Sequence, residues 1–133
     1  MFRKNDIALW ITLFFFVFAI PAYSGMLDGK VFAGKNGHLG KEGSGKDEIK
    51  FENGKFNSII CSEKYGFGDA DYTTKVDGDK VFFTADIYSK KYGRITYSGM
   101  VNGNDLKATF IWFDKGKYAK PEQVKWWKGS AKK

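Results

Sequence analysis

A six-residue pattern recurs in this chain at a fixed interval, and it restricts the fold more than any other feature. Val76-Asp77-Gly78-Asp79-Lys80-Val81 places two apolar residues opposite each other, an acid opposite a base inside them, and Gly-Asp at the reversal. That is the layout of a two-residue β-hairpin. The same layout returns as Phe51-Glu52-Asn53-Gly54-Lys55-Phe56 and Val101-Asn102-Gly103-Asn104-Asp105-Leu106, and more loosely as Met26-Leu27-Asp28-Gly29-Lys30-Val31. The copies start at 26, 51, 76 and 101, a period of 25 residues. Tight reversals at that spacing specify antiparallel strands paired in sequential order.

The segments between the reversals carry period-two alternation and no helical period of useful length. Val81, Phe83, Ala85 and Ile87 alternate with Phe82, Thr84, Asp86 and Tyr88. Ile95, Tyr97, Gly99 and Val101 form a second inward set, and Leu106, Ala108, Phe110 and Trp112 a third. Residues directly opposite across a two-residue hairpin share a face of the sheet. Phe51 with Phe56, Val76 with Val81, and Val101 with Leu106 are therefore predicted pairs, and all six are assigned inward. Glu52 with Lys55 and Asp77 with Lys80 are expected to pair outside.

Strands are expected at about 30–34, 48–52, 55–61, 71–76, 80–88, 94–101, 106–113 and 123–130. Eight strands in a meander leave two exposed edges unless the first meets the last. Closure removes the edges, so the predicted fold class is all-β, an eight-stranded antiparallel up-and-down barrel. Inward residues on the outer strands are assigned as Val31, Ala33, Val124 and Trp126, with Ile60 inward on the third strand.

Residues 1–24 have the layout of a signal-peptide helix. Arg3 and Lys4 precede a 14-residue apolar run from Ile7 to Ile20, and Ala22-Tyr23-Ser24 forms a small-x-small cleavage site. A bilayer-spanning helix needs about 20 apolar residues, so the run reads as a leader rather than an anchor. The expected organisation is a signal peptide over 1–24 and one β-barrel domain over 25–133, located in the periplasm or secreted. Cys61 is the single cysteine, so no disulfide forms within the chain. Its distance from the cleavage site excludes a lipid-bearing role, and it reads as a small hydrophobe at a strand end.

Because the tight turns gather at one end, the long connections lie at the other, which forms a mouth. The segment Gly34 to Asp47 reads as a Gly-rich, mobile loop. Lys64-Tyr65, Lys91-Tyr92 and Lys117-Tyr118 put a Lys-Tyr pair in three consecutive mouth connections, a rim able to stack on or attract an acidic group. Inside, a layer of small residues around Phe83 lies below Tyr72, Tyr97, Phe110 and Trp112, which suggests a cavity roofed by aromatics. The candidate ligand-binding residues are thus Tyr72, Phe83, Tyr97, Phe110 and Trp112 within, and Tyr65, Tyr92 and Tyr118 at the rim.

Catalytic chemistry lacks parts. His38 is the sole histidine and lies in the Gly-rich loop, so neither a Ser-His-Asp triad nor a His-based metal site can be assembled. Asp69 and Asp71 lack calcium-loop spacing, and no phosphate-cradling loop precedes a helix. The expectation is a non-enzyme with no cofactor and no metal. The net charge of +7 admits an acidic partner. Export argues against nucleic acid, and Lys107, Lys125, Lys128, Lys132 and Lys133 read as solvated guards against strand addition at an edge.

Leu27-Asp28-Gly29-Lys30-Val31-Phe32 at the first strand and Trp126-Trp127-Lys128-Gly129 at the last give the arrangement its resemblance to the lipocalin-like, or calycin, group of small secreted barrels. It has some likeness to avidins and to bacterial barrel-shaped protease inhibitors. Cys61 to Tyr72 is similar to a stretch of uncharacterised exported bacterial proteins. The resemblance implies a monomeric barrel that takes a small apolar or amphipathic ligand at its open end. The alternative is an interaction or inhibitor module working through the mouth loops on an envelope protein.

Overall fold

The computed structural model describes residues 25–116 and 121–133; residues 1–24, where a signal peptide is expected, and Tyr118 lie outside the described residues. Eight strands, β1 (Val31–His38), β2 (Gly45–Glu52), β3 (Lys55–Ser58), β4 (Ala70–Asp77), β5 (Lys80–Ser89), β6 (Gly93–Asn102), β7 (Asp105–Phe113) and β8 (Gln123–Ala131), pair antiparallel in chain order. β1 closes on β8 over seven residue pairs, from Phe32 with Ala131 to His38 with Lys125. One short helix, α1 (Ile59–Tyr65), interrupts the meander between β3 and β4.

The three tight reversals have the predicted register: Phe51 faces Phe56, Val76 faces Val81, and Val101 faces Leu106. Asn53 (φ 52°) and Gly54 (φ 73°) are both left-handed, as a type I′ turn requires, while Gly78 (φ 60°) and Gly103 (φ 61°) hold the first central position of their turns. The external charges pair differently from expectation. Glu52 meets Lys50, two residues back on the same face of β2, at 2.8 Å, and Lys55 meets Asp71, its directly opposite residue on β4, at 2.6 Å.

The fourth copy of the pattern makes no hairpin, having no described strand before it. It forms a turn that seals the closed end, with Leu27 buried. Tyr72 Oη accepts from the Leu27 amide at 2.9 Å and donates to Asp28 Oδ1 at 2.8 Å. The Asp28 carboxylate also accepts from the Gly54 amide at 3.0 Å. Tyr72 is therefore at the base of the barrel, on the opposite side from the mouth. Barrel closure staggers neighbouring strands, and Ala70 faces Phe56, which lowers the inward residues of β4 relative to those of β3.

Four further expectations are corrected. On β1 and β8 the inward residues are Phe32 and Trp127, both fully buried; Ala33 and Val124 are exposed and Trp126 lies outside. Val31-Phe32 and Trp126-Trp127 are apolar on both faces, so alternation alone does not orient those strands. Residues 59–61 are helical rather than strand, and Ile60 is exposed. Gly34 to Asp47 is mostly strand: β1 extends to His38, β2 begins at Gly45, and only residues 39–44 connect them. The glycines there serve close approach, since a Cβ on Gly43 would come within 2.7 Å of the Trp126 ring.

The interior is a continuous array of rings. Phe51 touches Tyr72 (centroids 4.8 Å apart) and Phe83 (5.1 Å); Phe56 touches Tyr97 (4.6 Å), which stacks on Phe110 (4.7 Å). The layer of small residues is filled from its neighbours. A Cβ on Gly99 would strike the Phe83 ring at 2.5 Å, and one on Gly129 the Trp127 ring at 2.7 Å. Rings of this size bury roughly 150–250 Å² each, which gives a disulfide-free domain its core.

Candidate functional site at the barrel mouth

The mouth is built around α1. Ser58 caps the helix, its Oγ accepting from the Cys61 amide at 3.4 Å, and Gly66 (φ 72°) ends it in a left-handed residue bonded back to Cys61 and Ser62 carbonyls. The helix leaves the sheet at Ser58 and crosses the opening. At its far end the Tyr65 carbonyl accepts from Ser89 Oγ at 2.9 Å, and the same oxygen of Ser89 accepts from the Tyr92 amide at 3.2 Å. No residue of α1 is itself buried. The segment after it carries the plug: Phe67, between two glycines, is buried with its ring 6.0 Å from Trp112.

A polar cluster anchors α1 from below. Asp47, buried on β2, accepts from Ser58 Oγ (2.7 Å) and Trp127 Nε1 (3.2 Å) on Oδ2, and from the amides of Glu48 (2.7 Å) and Ile60 (3.0 Å) on Oδ1. One carboxylate thus joins β2, β8, the helix cap and the first turn of the helix. Cys61 Sγ lies 3.6 Å from Tyr97 Oη. Burial pushes the Cys61 thiol up from its usual value, and burial, reinforced by Cys61, holds the Tyr97 phenol well above its own. Both groups stay protonated at neutral pH. No nucleophile is generated here.

Of the residues singled out from the sequence, the fold brings Tyr65, Tyr92 and Trp112 together. Tyr65 meets both other rings edge-on at 5.3 Å, and Trp112 Nε1 donates to the Tyr92 carbonyl at 2.7 Å. Lys64 and Lys91 lie over the rings of the tyrosines that follow them, at 5.5 and 5.4 Å, and Lys125 lies 5.9 Å over Trp112. Phe83, Tyr97 and Phe110 are inside the packed core, and Tyr72 is at the closed end.

Beside this cluster the outer faces of three strands form a strip. Tyr88, Arg94 and Phe113 lie directly opposite one another on β5, β6 and β7. Tyr88 is 61% exposed, and the Arg94 guanidinium covers the Phe113 ring at 4.4 Å. With Ser89, Lys90, Gly93 and Lys115 they line a concavity of about 540 Å³. A second concavity, about 500 Å³, runs between α1 and the β1–β2 wall, bounded by Ile59, Ile60, Ala33, Lys35 and Lys46.

Among the described residues, no group of three or more His, Cys, Asp or Glu side chains is placed to hold a metal ion. None of the described helices is long and apolar enough to cross a membrane. Comparison of the chain with known protein families, with curated proteins and with solved structures finds no match.

Proposed function

We propose that this chain is a non-enzymatic, exported binding module, a lipocalin-like barrel whose interior has been given over to packing and whose recognition surface is the rim of its mouth. Its partner on this reading is an acidic segment of another protein. The observation that carries the proposal is the Tyr88–Arg94–Phe113 strip. An exposed tyrosine and a ring-stacked arginine beside a concavity have the composition and shape of an interface anchor, and Lys90 and Lys115 add cationic complementarity around it. The rigid barrel and the helix tied down by Asp47 pre-organise that strip, which lowers the ordering cost of association.

The test is calorimetric titration with a peptide rich in Asp and Glu carrying one aromatic residue, against the parent protein and the R94E/K115E variant. Both substitutions are at exposed positions, so folding is retained and can be checked by near-UV circular dichroism. The expected result is a salt-sensitive association weakened roughly tenfold or more by the charge reversals. Equal affinity for the two proteins overturns the proposal. A second reading, a small amphipathic ligand, is favoured by the groove between α1 and the β1–β2 wall, where Ile59 and Ile60 offer an apolar floor and Lys35 and Lys46 an anchor for an acidic head. It predicts that a fatty acid loses affinity in I60D and not in R94E/K115E.

A further inference from the structure

A row of lysines runs across the outside of the barrel wall, and the register makes it continuous. Lys107 on β7 is directly opposite Lys128 on β8, Lys128 is directly opposite Lys35 on β1, and Lys35 is directly opposite Lys46 on β2. All four are exposed, and among the described residues none of them forms an ion pair. The nearest acids along the same strands are engaged elsewhere: Glu48 with Lys132 at 3.2 Å, and Asp105 with Ser130 Oγ at 3.4 Å. Asp47, next to Lys46 on β2, is buried and taken up by its four donors, and Glu42, in the β1–β2 connection, borders a concavity shared with Lys35 and Lys128.

Like charges directly opposite across strands destabilise a sheet, so three such contacts in succession cost the free protein stability. Protection of a sheet edge is no explanation, because β1 is hydrogen-bonded to β8 along its length and the barrel has no edge there. An anion that neutralises the row offsets the cost. We infer that the wall formed by β7, β8, β1 and β2 binds an acidic polysaccharide chain.

Shape and chemistry select this occupant. Eight strands turn the sheet through a full circle, roughly 45° per strand, so the two ends of the row face directions more than a right angle apart. A flat lipid surface meets only part of such a row; a flexible chain follows all of it. Trp126 stands next to the row and borders two concavities, about 360 Å³ with Lys107, Ser98 and Thr109, and about 750 Å³ with Lys35 and Lys41. Its indole is fixed, with Nε1 donating to the Lys41 carbonyl at 2.8 Å and Gly43 packed against the ring. One fixed aromatic plate flanked by hydroxyls and lysines suits a sugar ring carrying carboxylates. Single-stranded nucleic acid binding instead uses successive stacking platforms.

The experiment titrates the protein with alginate oligosaccharides, and separately with single-stranded DNA and with phosphatidylglycerol vesicles, at one ionic strength. Alginate is expected to bind, with a slope of log affinity against log salt of about −3, taking roughly 0.7 per neutralised lysine as for single-stranded polyanions. K107E/K128E is expected to weaken it roughly tenfold or more, whereas R94E/K115E at the mouth leaves it unchanged. An independent readout needs no ligand: K35E places an acid between Lys46 and Lys128, so the melting temperature of the free protein is expected to rise by about 2–5 °C. Unchanged alginate affinity in K107E/K128E, tighter binding of DNA or vesicles than of alginate, or a K35E protein that melts lower than the parent overturns the inference.

Discussion

Replacing Asp47 tests whether one buried carboxylate holds the mouth together. Its four hydrogen bonds connect β2, β8, the helix cap and α1. In D47A the Ser58 hydroxyl and the Trp127 indole N–H lose their acceptor in a place where neither is accessible to water, Ser58 being 1% exposed and Trp127 0%. A buried donor left unpaired costs about 1–3 kcal/mol, so these two account for about 2–6 kcal/mol. The Ile60 and Glu48 amides are only partly buried and add less. Removing the carboxylate relieves its own desolvation, which offsets part of the loss. The expected net destabilisation is about 3 kcal/mol for D47A and about 2 kcal/mol for D47N, whose amide retains one acceptor and turns N–H groups toward existing donors. For S58A, which loses one partner, about 1 kcal/mol is expected. Urea unfolding followed by tryptophan fluorescence reads these differences, with the slope m confirming that each variant unfolds in the same transition. A D47A protein within 0.5 kcal/mol of the parent would refute the reasoning, since Asp47 would then be dispensable to the cluster.

Y72F removes the hydroxyl that joins Leu27 and Asp28 at the closed end and leaves the Leu27 amide unpaired; a loss of about 1–2 kcal/mol is expected in the same urea assay. G99A drives a methyl into the Phe83 ring, and overpacking of that kind is expected to cost about 1–3 kcal/mol, read as a fall in melting temperature. The raised pKa values of Cys61 and Tyr97 give a signed pH dependence. In each the folded pKa lies above the unfolded one, so their stabilising contribution is complete below the thiol's ordinary 9.0 and declines as pH rises past it and past the phenol's ordinary 10.0. Urea midpoints are expected to fall between pH 9 and 11. Labelling of Cys61 by a disulfide reagent at pH 8 is expected to be slower in the folded protein than in urea, because its half-buried thiol is held protonated; equal rates in the two states would contradict this.

The 25-residue period was enough to determine the meander, three hairpin registers and the inward residues of β5, β6 and β7, because those strands alternate cleanly and each hairpin fixes its partner. Orientation failed on β1 and β8, where Val31-Phe32-Ala33 and Trp126-Trp127 are apolar in sequence and only the contacts of Phe32 with Phe51 and Trp127 with Asp47 decide which face turns in. Ile59-Ile60 has strand propensity that a serine cap before it and a left-handed glycine after it override. Glycines at 34, 37, 43 and 45 suggested mobility and instead allow β1, β2, β8 and Trp126 to pack closely. The Arg94–Phe113 pair was within reach: it is seven residues along each strand from Val101 and Leu106, on the outer face of a hairpin whose register was known. Asp47 had no signal, since its partners other than the adjacent Glu48 come from two separate segments, 58–60 and Trp127.

The central claim, that recognition takes place at the rim of the mouth and not within the barrel, is tested most directly by amide chemical-shift mapping of the isotope-labelled protein titrated with the acidic, aromatic-bearing peptide. The predicted result is perturbation concentrated at residues 88–94 and 113–115, with Phe51, Phe83 and Tyr97 unmoved. Shifts confined to Phe51, Phe83, Tyr97 and Phe110 would contradict it and place the ligand inside.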